Sequence, residues 1–316
     1  MRAIIIGHSG QDGTLLCESL EKKGYGLIGL SRNSILTIPE RNLEKLPKVE
    51  DNASISDLIK NFQPTEIYYL AAYHTSSEVS DDIDIRESFV KAEETHVIGL
   101  LNVLCAIRDY ASNCKLFYAS SSLVFSGEDG EIQDEETALS PSGFYGITKA
   151  QAMRLCKEFS EKYNVFASVG ILYNHESCLR APHFLTKKII LSAINAASGS
   201  KKILTIGDLS AKVDWSYAPD FIEAFQLILK TDKSDTFIIA SGEVHTVQEF
   251  VEIVYDYFQL DWREYVVEDI SILARRPLVK TGNPSKLISA TGWKRSFDFL
   301  NFVKQLVVDT VEKSVN

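Results

Sequence analysis

Short apolar runs recur along the first two thirds of the chain, at residues 3–6, 27–30, 66–70, 115–119 and 166–172. Between them lie stretches 14–23, 56–61, 95–110 and 150–163, where apolar residues return every three or four positions. Near-continuous apolar strands alternating with amphipathic helices predict a parallel sheet covered on both faces, a doubly wound α/β architecture. Beyond about residue 173 the alternation loosens into helical patterns at 187–197, 219–230, 247–258 and 296–313, with short strands such as 236–239. The expected organisation is a first domain of residues 1–172 plus about 212–240, and a smaller C-terminal lobe of 173–211 and 241–316.

Composition narrows the choice of partners. The 316 residues are 45% hydrophobic and 24% charged, an ordinary globular balance. Lys and Arg number 33 against 43 Asp and Glu, a net charge of −10. A binder of nucleic-acid backbones needs the opposite sign, so no nucleic-acid partner is expected. No apolar run approaches the roughly 20 residues of a membrane span, and the N-terminus runs straight into a strand with no signal-peptide pattern, so a cytoplasmic protein is expected. The five cysteines are scattered, with neither CxxC spacing nor a Cys/His cluster, so they read as reduced thiols and no metal site is expected.

The first chemical signal is Gly7-His-Ser-Gly10-Gln-Asp-Gly13, which follows the first strand and opens the first helix. Glycines there permit a tight turn, close backbone approach to a pyrophosphate and close helix–strand packing, with the pyrophosphate on the helix N-terminus. The second strand ends in Ser31-Arg32-Asn33-Ser34, where an NAD-selective site would carry a carboxylate. With no acid there and Arg32 suited to a 2′-phosphate, the expected cofactor is NADP(H) rather than NAD.

The second signal is a strand tipped by Ser120-Ser121-Ser122, followed some twenty residues on by Tyr145-Gly-Ile-Thr-Lys149 at the start of a helix. Four residues apart on a helix, Tyr145 and Lys149 share a face. A lysine there can lower the phenol pKa and make Tyr145 a general acid/base, while Ser121 or a neighbour holds the reacting oxygen.

Together these residues resemble the extended short-chain dehydrogenase/reductase family. Gly7 to Gly13, Gln63-Pro-Thr-Glu-Ile-Tyr68, Gly170-Ile-Leu-Tyr-Asn-His-Glu-Ser177, Asp214-Trp215 and Ile239-Ala-Ser-Gly-Glu-Val-His245 resemble its GDP-mannose 4,6-dehydratase branch. The resemblance implies a Rossmann domain, a nucleotide-sugar lobe, a GDP-linked sugar substrate and a homodimer, with a tetramer less readily formed because the loop after the second strand is short. It implies catalytic roles for Ser121, Tyr145 and Lys149, and substrate contacts from Ser122, Asn174, Lys188 and Arg276. Cofactor contacts are implied for Gly7, Ser9, Gly10, Gln11, Asp12 and Gly13 in the turn, and for Ser31 and Arg32 after the second strand. The same role is implied for the Asp51-Asn52 pair, for the loop Leu70-Ala71-Ala72-Tyr73, and for Leu172 and His175.

Departures from that branch carry as much information. Where its strand reads Ser-Thr-Ser-Glu-Leu-Tyr, this chain reads Ser120-Ser-Ser-Leu-Val-Phe125, placing Leu123 at the Glu that takes the C5 proton during elimination. Leucine has no ionisable group. Val213 replaces the Arg before Asp-Trp, and the acid after Arg276-Pro277 is absent. The expected activity is therefore oxidation or reduction at C4 of a GDP-linked sugar without 4,6-elimination, most simply reduction of a 4-keto sugar nucleotide, with a C4 dehydrogenase or epimerase using the same residues. The alternatives are a dehydratase with a displaced acid, Glu128 or Glu135, and a catalytically quiet cofactor-binding partner of a dehydratase. His175-Glu176 reads as a structural pair rather than a metal site, and His74, His96, His183 and His245 carry no assigned chemistry.

Overall fold

The computed structural model describes residues 1–39, 46–73, 84–126, 131–141, 143–273 and 279–315. Strands β1 (Arg2–Ile6), β2 (Gly26–Leu30), β3 (Ile35–Ile38), β4 (Glu66–Tyr69), β5 (Lys115–Ala119), β6 (Ala167–Leu172) and β7 (Thr236–Ile239) make one sheet, ordered β7-β6-β5-β4-β1-β2-β3. All neighbours are parallel except β2 and β3, which pair Leu27 with Ile38 and Leu30 with Ile35. This is the doubly wound architecture that the alternation predicts. The sequence pattern did not anticipate β3. Residues 31–34 are too few for the crossover of a dozen or more that a parallel strand needs, so the chain turns back as a hairpin.

Among the described residues the helices are α1 (Gln11–Lys22), α2 (Asn52–Phe62), α3 (Ile85–Glu93), α4 (Gly99–Tyr110), α5 (Gly143–Tyr163), α6 (Leu185–Ala197), α7 (Ala218–Ile228), α8 (Val247–Tyr257), α9 (Ser285–Thr291) and α10 (Phe299–Val315). One face of the sheet is covered by α1, α7 and α9 through Leu16, Leu20, Phe221, Phe225 and Leu287, all fully buried. The other takes α2, α4 and α5 through Ile59, Val103, Leu104 and Cys156. Each such leucine, isoleucine, valine or phenylalanine withdrawn from water contributes roughly 1.5–3 kcal/mol. A separate core unites α6, α8 and α10 around Trp215, Phe250 and Val303.

One buried carboxylate ties the C-terminal segments together. Asp214 accepts hydrogen bonds from Ser241 N (2.8 Å), Ser241 Oγ (2.6 Å), Gly242 N (3.2 Å) and Gly282 N (3.2 Å). It thereby joins the segment between the two cores to the end of β7 and to the short strand at Thr281–Gly282. Sheet order reverses between β1 and β4, and open α/β sheets bind ligands in the crevice at the carboxyl ends of such strands.

Candidate active site

A cleft of about 1650 Å³ runs from the N-terminus of α1 along the carboxyl ends of β1, β2, β4, β5 and β6 to the start of α6. At its floor lies the glycine turn. Gly7 has φ +100°, and a Cβ there would stand 2.7 Å from Ala71 N; one on Gly13 would stand 2.2 Å from Gly7 O. These positions admit no side chain. Gly10 caps α1 without a side-chain hydrogen bond, leaving the first helical N–H groups to an anion. The cradle fits a dinucleotide pyrophosphate.

Of the residues expected at a site, Ser9, Gln11, Asp12, Ser31, Arg32, Leu70 to Tyr73, Ser121, Ser122, Tyr145, Lys149, Leu172, Asn174 and His175 all border this cleft together with the glycines. Asp51 and Asn52 do not. Asp51 is the N-cap of α2, accepting from Ala53 N at 3.1 Å, and Lys48, Val49 and Glu50 border the cleft in their place. A capping carboxylate is turned toward its own helix N–H groups, which is what removes it from the cleft. Lys188 lies one turn beyond Phe184 on α6, outside the lining side chains. Arg276 and Glu128 lie outside the described residues.

Ser121, Tyr145 and Lys149 converge. The Ser121 hydroxyl accepts Leu123 N at 3.2 Å and also hydrogen-bonds the Tyr145 phenol. Lys149 is almost wholly buried; its Nζ donates to Ala119 O at 2.7 Å and sits 4.9 Å and 5.6 Å from the Tyr118 and Tyr145 ring centres. Gly146 makes the convergence possible, since a Cβ there would meet Leu123 O at 2.4 Å. Helix α5 therefore lies backbone against backbone on the turn that carries Ser121.

The electrostatics differ from the sequence expectation. Burial pushes the Tyr145 phenol up to about 12, helped by the Asp12 charge and opposed by the Ser121 hydrogen bond and the Arg180 charge. Burial brings the Lys149 ammonium down to about 7. Tyr145 is therefore a protonated phenol at neutral pH, and burial weakens the hold of Lys149 on its proton.

The sequence singles out Asp12 and His175 separately but not their contact, and it does not mark Arg180 at all. Asp12 and His175 form a partly buried pair, with His175 Nε2 3.0 Å from each carboxylate oxygen. Arg180 borders the cleft 3.3 Å from Glu176 Oε2, with its guanidinium 3.8 Å over the Phe184 ring. A lone arginine after Asn174-His-Glu-Ser has no periodicity that would mark it. The acid Glu135 faces away from this chemistry, accepting Ile238 N at 2.7 Å beside β7. Leu123, by contrast, borders the cleft.

This sheet order, glycine turn and Ser–Tyr–Lys cluster define an enzyme of the extended short-chain dehydrogenase/reductase class. Residues 4–306 match the family model described as GDP-mannose 4,6 dehydratase, and the chain belongs to that family. It is 33% identical to GDP-mannose 4,6 dehydratase 2 of Arabidopsis thaliana over 98% of this chain and 87% of that one. It is 36% identical to the Homo sapiens GDP-mannose 4,6 dehydratase over 79% of this chain and 70% of that one. In fold it is similar to RMD from Pseudomonas aeruginosa complexed with NADPH, with TM-score 0.79, 21% identity and 99% of each chain covered. It is likewise similar to the UDP-glucose 4-epimerase of Thermotoga maritima, with TM-score 0.82, 19% identity and all of each chain covered.

Proposed function

We propose that this chain is an NADP(H)-dependent oxidoreductase acting at C4 of a GDP-linked sugar, and that its net reaction is reduction of a 4-keto, most simply 4-keto-6-deoxy, sugar nucleotide without 4,6-elimination. The observation that carries this reading is Leu123 in the cleft wall beside Ser121, with Glu135 engaged at Ile238 and turned away. An elimination needs a base at the C5 proton, and leucine supplies none.

The glycine turn and the N-terminus of α1 would hold the pyrophosphate, and Arg32, which borders the same cleft, would hold the 2′-phosphate. Bound NADPH supplies the hydride. Ser121 orients the C4 oxygen, and Tyr145 donates its phenolic proton to that oxygen. Burial pushes the Tyr145 phenol up to about 12, so it carries its proton at neutral pH, the form a reductive step consumes. Lys149, with its Nζ 5.6 Å from the Tyr145 ring centre, would hold the nicotinamide ribose and offset the phenolate charge until solvent returns the proton. In this reading residues 1–172 and 212–240 hold the cofactor, residues 173–211 and 241–316 take the nucleotide sugar, and the enzyme works as a cytoplasmic homodimer.

The names of the relatives favour a second reading, dehydration of GDP-mannose by another acid. Mass spectrometry of GDP-mannose incubated with the protein and a trace of NADP⁺ separates the two. A product lighter by one water overturns the first reading. An unchanged mass, with NADPH consumed when a GDP-linked 4-keto-6-deoxy sugar is added, supports it, and Leu123→Glu then gains water loss.

A further inference from the structure

We propose that His96 is a positioning residue that sets the geometry of Tyr145 against the cofactor-lining loop. The inference rests on the reading above, in which Tyr145 is the proton donor. His96 is fully buried in a π-helical turn, Glu94–Ile98, between α3 and α4. Such turns are rare and recur at functional sites. Inside this one the hydroxyl of Tyr69, the last residue of β4, donates to the Thr95 carbonyl at 2.5 Å.

The imidazole bridges two walls of the cleft. Tyr73 N donates to His96 Nε2 at 2.9 Å, so that nitrogen carries no proton. Nδ1 lies 2.7 Å from Thr148 Oγ1. The Thr148 hydroxyl is committed as a donor to Phe144 O at 2.9 Å, with Tyr145 O at 3.2 Å, so Nδ1–H is the donor to Thr148. The bonds run in one direction, from the loop at Tyr73 to the ring, from the ring to Thr148, and from Thr148 into the first turn of α5. They require a neutral imidazole in a single tautomer.

The same ring stands edge-on to the Tyr145 ring, with centroids 5.3 Å apart and planes at 89°. It therefore restricts the swing of the phenol while fixing both the cleft-lining loop at Tyr73 and the helix that carries the acid. A buried histidine serving the core alone would need none of these three contacts to meet at the reacting group. Misplacing a reacting group by about 1 Å can cost a hundredfold in rate.

The test compares wild type with His96→Phe, which keeps a ring without hydrogen bonds, and His96→Gln, which keeps a donor and an acceptor. Thr148→Val cuts the link to α5 while leaving His96 in place. With NADPH and a GDP-linked 4-keto-6-deoxy sugar, His96→Phe and Thr148→Val should lower kcat about 30- to 100-fold, with KM for the sugar nucleotide within about twofold. His96→Gln should recover most of kcat even where its melting temperature falls as far as that of His96→Phe. Equal kcat in the Phe and Gln variants, or rates that follow melting temperature alone, overturn the proposal. If wild type turns over no such sugar, amide hydrogen exchange of residues 70–73 and NADPH affinity decide instead. Faster exchange and weaker NADPH binding in His96→Phe, both restored in His96→Gln, uphold His96 while the substrate reading fails. Wild-type exchange and affinity in His96→Phe overturn the proposal independently of the substrate.

Discussion

His175 Nε2 stands 3.0 Å from both oxygens of Asp12, joining the glycine turn to the segment after β6 across 163 residues of sequence. His175 Nδ1 lies 2.7 Å from Tyr173 O, so both ring nitrogens face acceptors, an arrangement that favours the imidazolium form against the carboxylate. Its other neighbours are Phe221, stacked at 4.3 Å, and the charge of Arg180. Burial pushes each group toward its neutral form, yet the pairing wins: Asp12 is held below 3.8 and His175 above 6.5.

The signs give a testable pH window. The raised His175 contributes stability that is fully present below 6.5 and lost as pH rises through its folded value. The lowered Asp12 contributes stability present above 3.8 and lost as pH falls through its folded value. A hydrogen bond to a charged group in a partly buried pair is worth about 1.5–3 kcal/mol, so His175→Leu should lose about that much in urea unfolding within the window. The loss should be larger at about pH 5.5 than at about pH 9.5. Equal losses at both values would show that the two groups pack without pairing as charges.

Lys149 leads to a prediction about cofactor affinity. Its ammonium is brought down to about 7 because burial removes it from water. A bound dinucleotide brings hydroxyl acceptors and negative charge, which raise that value, so binding takes up a proton above pH 7. NADPH affinity should fall as pH rises from 7 toward 10, and titration calorimetry in two buffers of different ionisation enthalpy should register proton uptake. Lys149→Met should flatten the dependence.

Gly146 should behave as a catalytic-geometry mutant rather than a neutral helix position. Alanine is ordinarily the better helix former, but here its Cβ would press on Leu123 O from 2.4 Å, and the contact is backbone. Gly146→Ala should destabilise the protein by about 1–3 kcal/mol and reduce kcat by roughly a hundredfold, by parting Tyr145 from Ser121. A variant with wild-type kcat would mean that α5 can shift without moving Tyr145.

Arg32 should decide between the two nicotinamide cofactors. A charge-assisted contact to phosphate is worth about 1.5–3 kcal/mol. Arg32→Asp removes it and introduces repulsion, so preference for NADPH over NADH should fall by at least tenfold in fluorescence titration. An unchanged ratio would place the 2′-phosphate elsewhere.

The sequence by itself determined the doubly wound sheet and the place of its central chemistry. Those signals are local: an apolar run followed by Gly7, Gly10 and Gly13, and Tyr145 and Lys149 one helical turn apart, owe their meaning to backbone periodicity alone. What lay beyond reach depends on approach across sequence. Asp51 looks like a cofactor contact until α2 folds behind it and takes its carboxylate as a cap. Glu135 is a plausible acid until β7 arrives to occupy it. His96 carries no motif, and only the meeting of Tyr73, Thr148 and Tyr145 around it gives the ring a single protonation state. Periodicity fixes which side of an element a residue occupies; the partner it meets there, and with it the charge state, is set by packing between elements remote in the chain.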